Sequence, residues 1–363
     1  MSKYRFDQIA INSTAKKKPT EEDKYHYIGL EHLDSQNLIV SRWGSEVAPK
    51  GEKLLMKKGD VLFGKRRAYQ RKVAIAPFDG IFSAHGMVLR PNEEVVDKDF
   101  FPMFLSSDYF LDAAIAISVG SLSPTINWKD LARLEFDLPP MEEQKKLAEV
   151  LWSINDTLQA YQKLLAETDA LVQAQFVEMF GDPIIAEADT SLSELGTACM
   201  LKAGKFVKAD DIKEIPSNDM YPCYGGNGLR GYVFNYNCEG EYPLIGRQGA
   251  LCGNVQYASG KFYATEHAVV VTPKQEMDTY WLFHLLTLLN LNRYASGAAQ
   301  PGLAVNKLEA IRIYIPPVEE QIEFSKIAKQ TDKSKNTLQN TITSLHATKR
   351  CILEDSLGNG RKE

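Results

Sequence analysis

The sequence lacks the features that would mark a membrane, secreted or disulfide-bonded protein. Its 363 residues contain no run of eighteen apolar residues, so no membrane-spanning helix is expected. Three consecutive lysines at 16–18 are followed by no apolar stretch, which does not fit a signal peptide. The five cysteines form no Cys-x-x-Cys pair, so neither a disulfide framework nor a structural zinc site is predicted. We expect reduced cysteines in a cytoplasmic protein.

Catalytic motifs are also missing. The sequence has no G-x-x-x-x-G-K-[ST] phosphate loop and no acidic pair spaced for two metal ions. The Pro-Pro pairs at 139–140 and 316–317 lack the flanking residues of the amino-methyltransferase motif. The six histidines show no metal-ligand spacing. We therefore predict no catalytic residue, no metal and no cofactor bound by this chain.

Positive charge is concentrated in one segment, although the chain as a whole is acidic. The formal net charge is −5, which is unusual for a nucleic-acid-binding protein. Between residues 42 and 72, however, ten Lys and Arg residues stand against three acidic ones, a surplus of seven. Between 141 and 182, eight acidic residues stand against three lysines, a deficit of five. The basic segment is therefore the first candidate for phosphate contacts.

A long internal repeat organises the chain. Residues 120–144 align without a gap to 297–321, and eight of the 25 positions are identical. The block ends in Pro-Pro-x-Glu-Glu-Gln, where the prolines and carboxylates are typical of a helix start. Upstream, Phe63-Gly64-Lys65 is similar to Ile245-Gly246-Arg247, and His85 recurs as His267. A helix start alone does not explain why the whole block occurs twice, so we predict a duplicated unit of domain plus helix.

A long amphipathic helix is predicted after each block. In the first, apolar residues recur at steps of four and three over nearly five heptads, which is typical of a coiled coil. In the second helix, the stripe of residues at the same spacing (the helix seam) contains two lysines. The alternative to a coiled coil is an amphipathic helix that only covers a hydrophobic core. About 38 residues would span roughly 57 Å. An antiparallel pair needs only short connections, so it is favoured over a parallel pair. The residues predicted to pack between the helices are Leu147, Leu151, Ile154, Leu158, Tyr161, Leu165, Val172, Met179, Leu338, Ile342, Leu345 and Ile352.

The segments before the helices predict mixed domains of short strands separated by glycine and proline turns. A turn between strands is also favoured over a phosphate cradle for the glycine-rich run 224–228. The expected strands are 61–63, 72–76, 86–89, 243–245 and 268–272, and the expected short helices are 99–111 and 279–290.

The residue types in both halves suit contacts with DNA. Lys and Arg neutralise phosphates, Arg binds guanine edges through two hydrogen bonds, and Gln and Asn bind adenine edges similarly. For any single cation the alternative is a solvated surface, and for each histidine a structural role. The residues predicted to contact DNA are Arg42, Lys65, Arg66, Arg67, Tyr69, Gln70, Arg71, Lys72 and His85 in the first half, and Lys205, Tyr224, Asn227, Arg230, Arg247, Gln248, Asn254 and His267 in the second.

Taken in order, these motifs resemble the specificity subunits of Type I restriction–modification enzymes. The resemblance covers essentially the whole chain. It rests on the duplicated Pro-Pro-x-Glu-Glu-Gln, on Phe180-Gly181-Asp182-Pro183 after the first helix, and on three second-half motifs. These are the run 221–228, Ile245-Gly246-Arg247-Gln248-Gly249 and Ala264-Thr265-Glu266-His267. The second helix departs from the pattern because no Gly-Asp-Pro follows it.

The resemblance implies an α+β fold with two duplicated mixed α/β target-recognition domains. Two long antiparallel coiled-coil helices would separate them, with pseudo-two-fold symmetry. The implied boundaries are 1–140 and 183–317 for the domains, and 141–182 and 318–358 for the helices.

The implied function is sequence-specific DNA recognition without catalysis. Each domain would read one half of a split target in double-stranded DNA, and the helices would dock two modification (methyltransferase) subunits. Two restriction (translocase-nuclease) subunits would complete an adenine-N6 methyltransferase and ATP-dependent endonuclease. S-adenosylmethionine, ATP and magnesium are expected on those partners. Two alternatives stay open: a specificity chain of a different restriction architecture, and a coiled-coil scaffold that binds protein.

Overall fold

The fold is known from a computed structural model that describes residues 1–35, 37–189, 191–249, 251–297 and 301–358. Its internal contacts divide the chain into two compact units. Unit 1 consists of Met1–Gln162 together with the chain from Asn340 onward, and unit 2 of Lys163–Gln339. Among the described residues, no helix is long and apolar enough to cross a membrane.

Unit 1 is built on short strands. They are β1 (Ser2–Arg5), β2 (Ala10–Ser13), β3 (Lys16–Lys17), β4 (Tyr27–Ile28), β5 (Lys53–Met56), β6 (Val61–Phe63), β7 (Val73–Ile75), β8 (Gly80–Phe82), β9 (Met87–Pro91) and β10 (Glu135–Leu138). They form a β1–β10 pair and two four-stranded sheets, in the orders β2-β9-β6-β7 and β3-β5-β8-β4. All three residues of β6 are buried, and it pairs with both β7 and β9. Residues 64–72, the end of the basic segment, thus follow directly on a buried strand that is paired on both sides.

The helices of unit 1 pack around an aromatic core. They are α1 (Phe6–Ile9), α2 (Phe100–Ser106), α3 (Asp108–Ala116), α4 (Trp128–Leu131) and the first half of α5 (Met141–Phe180). The rings of Phe6 and Phe110 lie 5.1 Å apart between centroids, and those of Phe104 and Phe136 lie 5.3 Å apart. Aromatic pairs at this separation add to the free energy of burial.

Unit 2 contains a larger sheet. Its strands are β11 (Ser193–Glu194), β12 (Cys199–Ala203), β13 (Tyr221–Gly225), β14 (Gly228–Val233), β15 (Cys238–Gly246), β16 (Val255–Ala264), β17 (Ala268–Pro273) and β18 (Arg312–Ile313). Six of them form a sheet in the order β12-β17-β15-β16-β13-β14, and β11 pairs with β18. In unit 1, β1 and β10 pair in the same antiparallel way just before a long helix.

The helices of unit 2 bury a second aromatic cluster. They are α6 (Pro183–Ala186), α7 (Leu195–Ala198), α8 (Thr279–Leu288), α9 (Val305–Glu309) and the first part of α10 (Val318–Ser356). Phe176 of α5 stacks on Trp281 at 6.2 Å and meets Phe324 of α10 edge-on at 5.2 Å. These three rings are buried, so both long helices are anchored to the sheet through α8.

The two long helices match the sequence expectation closely. They span Met141–Phe180 and Val318–Ser356, against predicted limits of 141–182 and 318–358. Gly181 has a φ of 81°, a left-handed conformation that glycine adopts readily and that ends α5. Asp182 then accepts a hydrogen bond from the Ile184 N–H and starts α6, with Pro183 at its first position. The boundary between the two compact units falls within each long helix, whereas the predicted domain boundaries lie at the helix ends.

The repeated glutamine explains the duplicated block. Gln144 is 1% exposed, and its Oε1 accepts a 2.8 Å hydrogen bond from the Asp97 N–H. Its Nε2 donates to the carbonyl oxygens of Val95 and Pro139, at 3.2 and 2.9 Å. The amide therefore ties the start of α5 to the segment that leads into α2. We call this arrangement the glutamine clamp.

The second half repeats the glutamine clamp. Gln321 is also 1% exposed; its Oε1 accepts from the Asp278 N–H at 2.8 Å, and its Nε2 donates to the Pro316 carbonyl at 2.8 Å. Asp278 caps α8 by accepting from the backbone N–H groups of Tyr280 and Trp281. The repeat thus preserves the joint between each domain and the helix that follows it.

Shorter elements differ from expectation at their ends. The expected strands 72–76 and 86–89 become Val73–Ile75 and Met87–Pro91, and 243–245 is the end of the much longer β15. The expected helix 99–111 is two helices broken at Ser107, because the Ser107 side chain accepts from the Phe110 N–H and starts α3.

Candidate nucleic-acid interface

The last part of the basic segment, residues 64–72, is a tight loop between β6 and β7, which we call the basic loop. A 3₁₀ turn over Ala68–Gln70 is flanked by Arg67 and Arg71, whose φ angles of 54° and 51° are left-handed. A non-glycine residue in this conformation costs of the order of 1 kcal/mol, so surrounding contacts must hold it. One of them is a 2.7 Å hydrogen bond from the Arg67 N–H to the Pro124 carbonyl. The loop is therefore pinned in a defined shape.

Five of the predicted DNA contacts in unit 1 are free to reach a ligand. Arg66, Arg67 and His85 are exposed, Tyr69 is 55% exposed, and Lys65 is half-buried. Arg66 Nη1 lies 3.4 Å from His85 Nε2. Burial, followed by the charges of nearby cations, lowers the pKa of His85, and burial likewise lowers the pKa of Lys65. The imidazole is thus neutral at pH 7 and can offer both a donor and an acceptor.

The other four predicted contacts already bind groups of the protein itself: Arg42, Gln70, Arg71 and Lys72. Arg71 forms ion pairs with Asp108 and Asp112. Lys72 Nζ donates to the Leu30 carbonyl at 2.6 Å.

Arg42 is bound in the same way, to Asp34 at 2.6 Å and to the carbonyl oxygen of Glu31 at 2.9 Å. Gln70 is half-buried, and its carbonyl accepts from the Ser35 hydroxyl. Arg71, Lys72 and the Gln70 carbonyl hold the loop in place, whereas Arg42 is exposed and its partners lie outside the loop. The contact of all four residues with DNA stays a prediction.

In unit 2, most of the predicted DNA contacts come together at a junction of loops. The N–H of Lys205 donates to the Ala264 carbonyl, and the N–H of Arg247 donates to the His267 carbonyl, both at 3.0 Å. Asn254 Nδ2 lies 3.4 Å from Asn227 Oδ1. The other residues of the junction are Tyr224, whose carbonyl accepts from the Thr265 N–H, and Gln248, which follows Arg247.

The glycine-rich run 225–228 is the turn between β13 and β14, as the turn interpretation predicts. It passes so close to the end of β15 that a Cβ on Gly246 would lie 1.8 Å from the Gly226 carbonyl oxygen. Arg230 is exposed on β14 and lies beside Gly225. Glycine at 246 is thus required for the two loops to meet.

Several buried polar atoms at this junction lack a hydrogen-bond partner among the described residues. They are Arg247 Nε, Thr265 Oγ1, Glu266 Oε2 and His267 Nδ1. Glu266 and His267 also form a 3.2 Å contact between Oε1 and Nε2. Unsatisfied buried polar atoms are rare in folded proteins and call for an explanation such as water, an ion or a ligand. Thr265 and Glu266 were not predicted as site residues, because the sequence marks them only as part of the motif Ala264-Thr265-Glu266-His267.

The two candidate surfaces are built on the same backbone plan. The Arg67 N–H binds the Pro124 carbonyl, and the Gly249 N–H binds the Pro301 carbonyl at 3.0 Å. The Ile126 N–H donates to the carbonyl oxygen of Lys65 at 3.0 Å, and the N–H of Leu303 donates to that of Arg247 at 2.9 Å. Arg66 and Gln248 form corresponding bridges to Thr125 and Gly302.

A second loop therefore accompanies the predicted one in each half. In unit 1 it contains Gly120–Pro124, and its Leu122 side chain is 92% exposed. In unit 2 the equivalent loop ends at Pro301, and Ala298–Gln300 lie outside the described residues. The shared Gly and Pro of the repeat were the available signal for these loops, but the sequence alone did not show which segment they pack against.

The predicted helix seam is shielded from solvent in each unit. Leu151, Leu158, Val172 and Ile342 are buried. The remaining predicted packing residues are half-buried: Leu147, Ile154, Tyr161, Leu165, Met179, Leu338, Leu345 and Ile352. In unit 2, one of the two seam lysines, Lys335, forms an ion pair with Asp169 of α5.

Comparison with known proteins gives a consistent result. A family model described as the Type I restriction modification DNA specificity domain matches residues 7–168 and again 189–345. The EcoprrI specificity subunit of Escherichia coli is 46% identical over 171 residues, which are 47% of this chain and 42% of that protein. The EcoDI specificity subunit of E. coli is 27% identical over 189 residues, 50% of this chain and 42% of that protein. The matched stretch thus spans less than half the length of these two relatives.

A solved structure shares the fold over nearly the whole chain. The S subunit of a Type-I restriction-modification system from M. genitalium superimposes with a TM-score of 0.62 at 18% identity. The match covers 98% of this chain and 96% of that one. At this level of identity the likeness shows a common fold.

Proposed function

The chain belongs to the family of Type I restriction–modification DNA specificity subunits, and we propose that it reads a bipartite sequence in double-stranded DNA. One half-site would bind each domain. The observation that carries this proposal is the shared backbone plan of the two candidate surfaces. Lys65 and Arg247 occupy equivalent positions, each held by a hydrogen bond to its carbonyl from a second loop. A duplicated surface suits a target with two separated halves.

The two surfaces differ in charge, which predicts different modes of contact. Unit 1 presents Lys65, Arg66 and Arg67 in one loop, so phosphate neutralisation should contribute strongly to its binding. At the corresponding positions of unit 2 stand Arg247, Gln248 and Gly249, so hydrogen bonds to base edges should contribute more there. We therefore expect the first half-site to account for most of the salt dependence.

The long helices would set the distance between the half-sites and dock two methyltransferase subunits. Supporting contacts are present in each unit. In unit 1, Leu151 near the start of α5 shares a core with Leu353 near the end of α10. In unit 2, Phe176 near the end of α5 meets Phe324 near the start of α10. These contacts support the proposed antiparallel coiled coil with pseudo-two-fold symmetry, in which the two glutamine clamps would give both partners the same joint to recognise.

The chain would itself be non-catalytic and act in the cytoplasm within a larger complex. Adenine methylation with S-adenosylmethionine, and ATP- and magnesium-dependent cleavage by restriction subunits, are assigned to the partners. Among the described residues, no group of three or more His, Cys, Asp or Glu side chains could hold a metal ion. We assign every chemical step to the partner proteins because of the family to which the chain belongs.

The test is DNA binding by the chain assembled with its methyltransferase, using the target found by methylation mapping. We expect the triple change Lys65→Ala, Arg66→Ala and Arg67→Ala to weaken binding and to reduce the slope of log K against log salt by about 2 to 3. A charge-matched control changes the exposed residues Lys57, Lys58 and Lys98. Lys57 and Lys58 belong to the basic segment 42–72, but they precede β6, whereas the basic loop follows it, so this control separates the loop from the rest of the segment.

The control variant should keep both affinity and slope. Equal effects of the two triple variants would show that the basic loop is not the DNA surface. A chain that binds the methyltransferase but protects no DNA would favour the scaffold alternative.

A further inference from the structure

A cavity of about 490 Å³ lies within unit 1, and Arg71 of the basic loop is part of its lining. The beginning of α3 and the last turns of α10 form most of its wall, and Val73, the first residue of β7, also lines it. Small-molecule sites in proteins commonly enclose roughly 300 to 1000 Å³. The cavity is therefore of a size that takes a small organic ligand.

Lys349 is the unusual residue of this cavity. It is one of the two lysines in the seam of the second long helix, it lines the cavity, and it is only 9% exposed. Among the described residues it has neither an ion pair nor a side-chain hydrogen bond, unlike Lys335, which pairs with Asp169. Burial lowers the pKa of Lys349 to about 8. A buried ammonium without a partner is costly, and proteins normally pair such a group.

The other charges around the cavity are already balanced. Asp108 binds both Arg71 and Arg350, and Arg350 also binds Glu354 at 2.8 Å. Burial, followed by the charge of Lys349, lowers the pKa of His346, so this imidazole is neutral at pH 7. Three cations line the cavity. Arg71 is paired with Asp108 and Asp112, and Arg350 with Asp108 and Glu354, so among the described residues Lys349 is the cation of this cavity that has no partner.

The rest of the wall is suited to an apolar body. Val73, Leu111, Ala347, Leu353 and the ring of Tyr109 contribute to it. The first turn of α3 also lies on the wall, and the N–H groups of a helix N-terminus favour negative charge.

We propose that this cavity is a binding site for a small organic monoanion, such as a carboxylate on an apolar body, with Lys349 as its counter-ion. The ligand would contact both the end of α10 and the start of α3, so its binding would stabilise the attachment of the C-terminal helix to the first domain. This proposal does not depend on DNA recognition.

The test uses the full chain with two fluorinated probes, trifluoromethylbenzoate and trifluorobutyrate, and their neutral amides, followed by fluorine NMR and calorimetry. We expect at least one of the carboxylates to bind saturably at one site, and its amide to bind at least about tenfold more weakly, because a charge-assisted hydrogen bond is lost. The same carboxylate should raise the Tm of the chain, whereas its amide should raise it less.

Two variants and one control locate the site. Lys349→Met keeps the unbranched stem and should abolish the preference for carboxylate over amide, while raising the Tm of the unliganded chain. Ala347→Phe should fill the cavity and block both probes while leaving Lys349 in place. Lys333→Met, at an exposed position on the same helix, should change nothing.

The proposal is overturned if neither carboxylate binds saturably, if each amide binds as well as its carboxylate, or if Lys349→Met and Lys333→Met behave alike. Inorganic phosphate that competes as well as the carboxylates would show a simple ion site and would overturn the assignment of an apolar ligand body. Loss of binding in Ala347→Phe, together with a normal Tm, would support the proposal even if Lys349→Met failed to fold.

Discussion

Replacing Gln144 by leucine removes the glutamine clamp of unit 1 with little change in side-chain volume. The Asp97 N–H loses its acceptor, and the carbonyls of Val95 and Pro139 lose their donor, at a position where Gln144 is 1% exposed. A buried polar group left without a partner costs about 1 to 3 kcal/mol. Because the two carbonyls can relax or accept another donor, we expect unit 1 to lose about 3 to 5 kcal/mol in total.

The second clamp should be less sensitive. Gln321 makes two such hydrogen bonds, and Asp278 also accepts from the Ser325 hydroxyl, whereas Ala148 stands at the corresponding place in the first half. We expect Gln321→Leu to cost about 2 to 3 kcal/mol.

Urea unfolding followed by amide hydrogen exchange would measure both effects. Gln144→Leu should speed exchange at Asp97 without changing Asp278, and Gln321→Leu should do the reverse. Gln162→Leu, at an exposed position of α5, is the control and should stay within about 0.5 kcal/mol of the unchanged chain. If Gln144→Leu behaves like Gln162→Leu, the duplicated block is not explained by the clamp.

Three further changes test other parts of the structure. Gly246→Ala should lower the Tm and weaken DNA protection, because the new Cβ would lie 1.8 Å from a backbone oxygen. Gly302→Ala is the control, since the nearest atom to its Cβ would be 3.9 Å away. Equal Tm values for the two variants would refute the close approach at Gly246. Arg71→Met should lower the stability of unit 1 but leave the salt dependence of DNA binding nearly unchanged, because Arg71 forms an ion pair with Asp108 within the protein. A reduced salt dependence would show that Arg71 contacts DNA instead. Burial lowers the pKa of His284 to about 4. Between about pH 6.5 and 4, this histidine is therefore protonated in the unfolded chain but neutral in the folded protein. The free energy of unfolding, measured by urea titration, should therefore fall by about 2 to 3 kcal/mol from pH 6.5 to pH 4. It should fall less in His284→Phe, and parallel pH profiles of the two proteins would refute the role of His284.

The sequence was most informative where local signals and periodicity agree. The start of α5 follows a Pro-Pro pair, and its end is marked by Gly181-Asp182-Pro183, so both limits could be predicted within two residues. The break between α2 and α3 also had a local signal, since Ser107 is a favourable N-cap, but an apolar run on both sides concealed it.

The sequence was least informative where a residue's role depends on a distant partner. Arg71 looks like its neighbours in the basic loop, yet its acidic partners are 37 and 41 positions away. Gln144 looks like part of a helix start, yet its acceptor role is set by Asp97, 47 positions before it. Charge density and spacing cannot show such pairings, because they arise only when the sheets and helices pack together.

The central claim is that two equivalent surfaces read two half-sites. Methylation mapping of a host that expresses the chain with its methyltransferase tests it most directly, compared with the same host expressing the methyltransferase alone. We predict chain-dependent methyladenine at one bipartite sequence with a fixed spacer, and a change of only one half-site when residues 183–317 are exchanged for those of a relative. No chain-dependent methylation, a single uninterrupted motif, or a change of both half-sites on exchange would contradict the account.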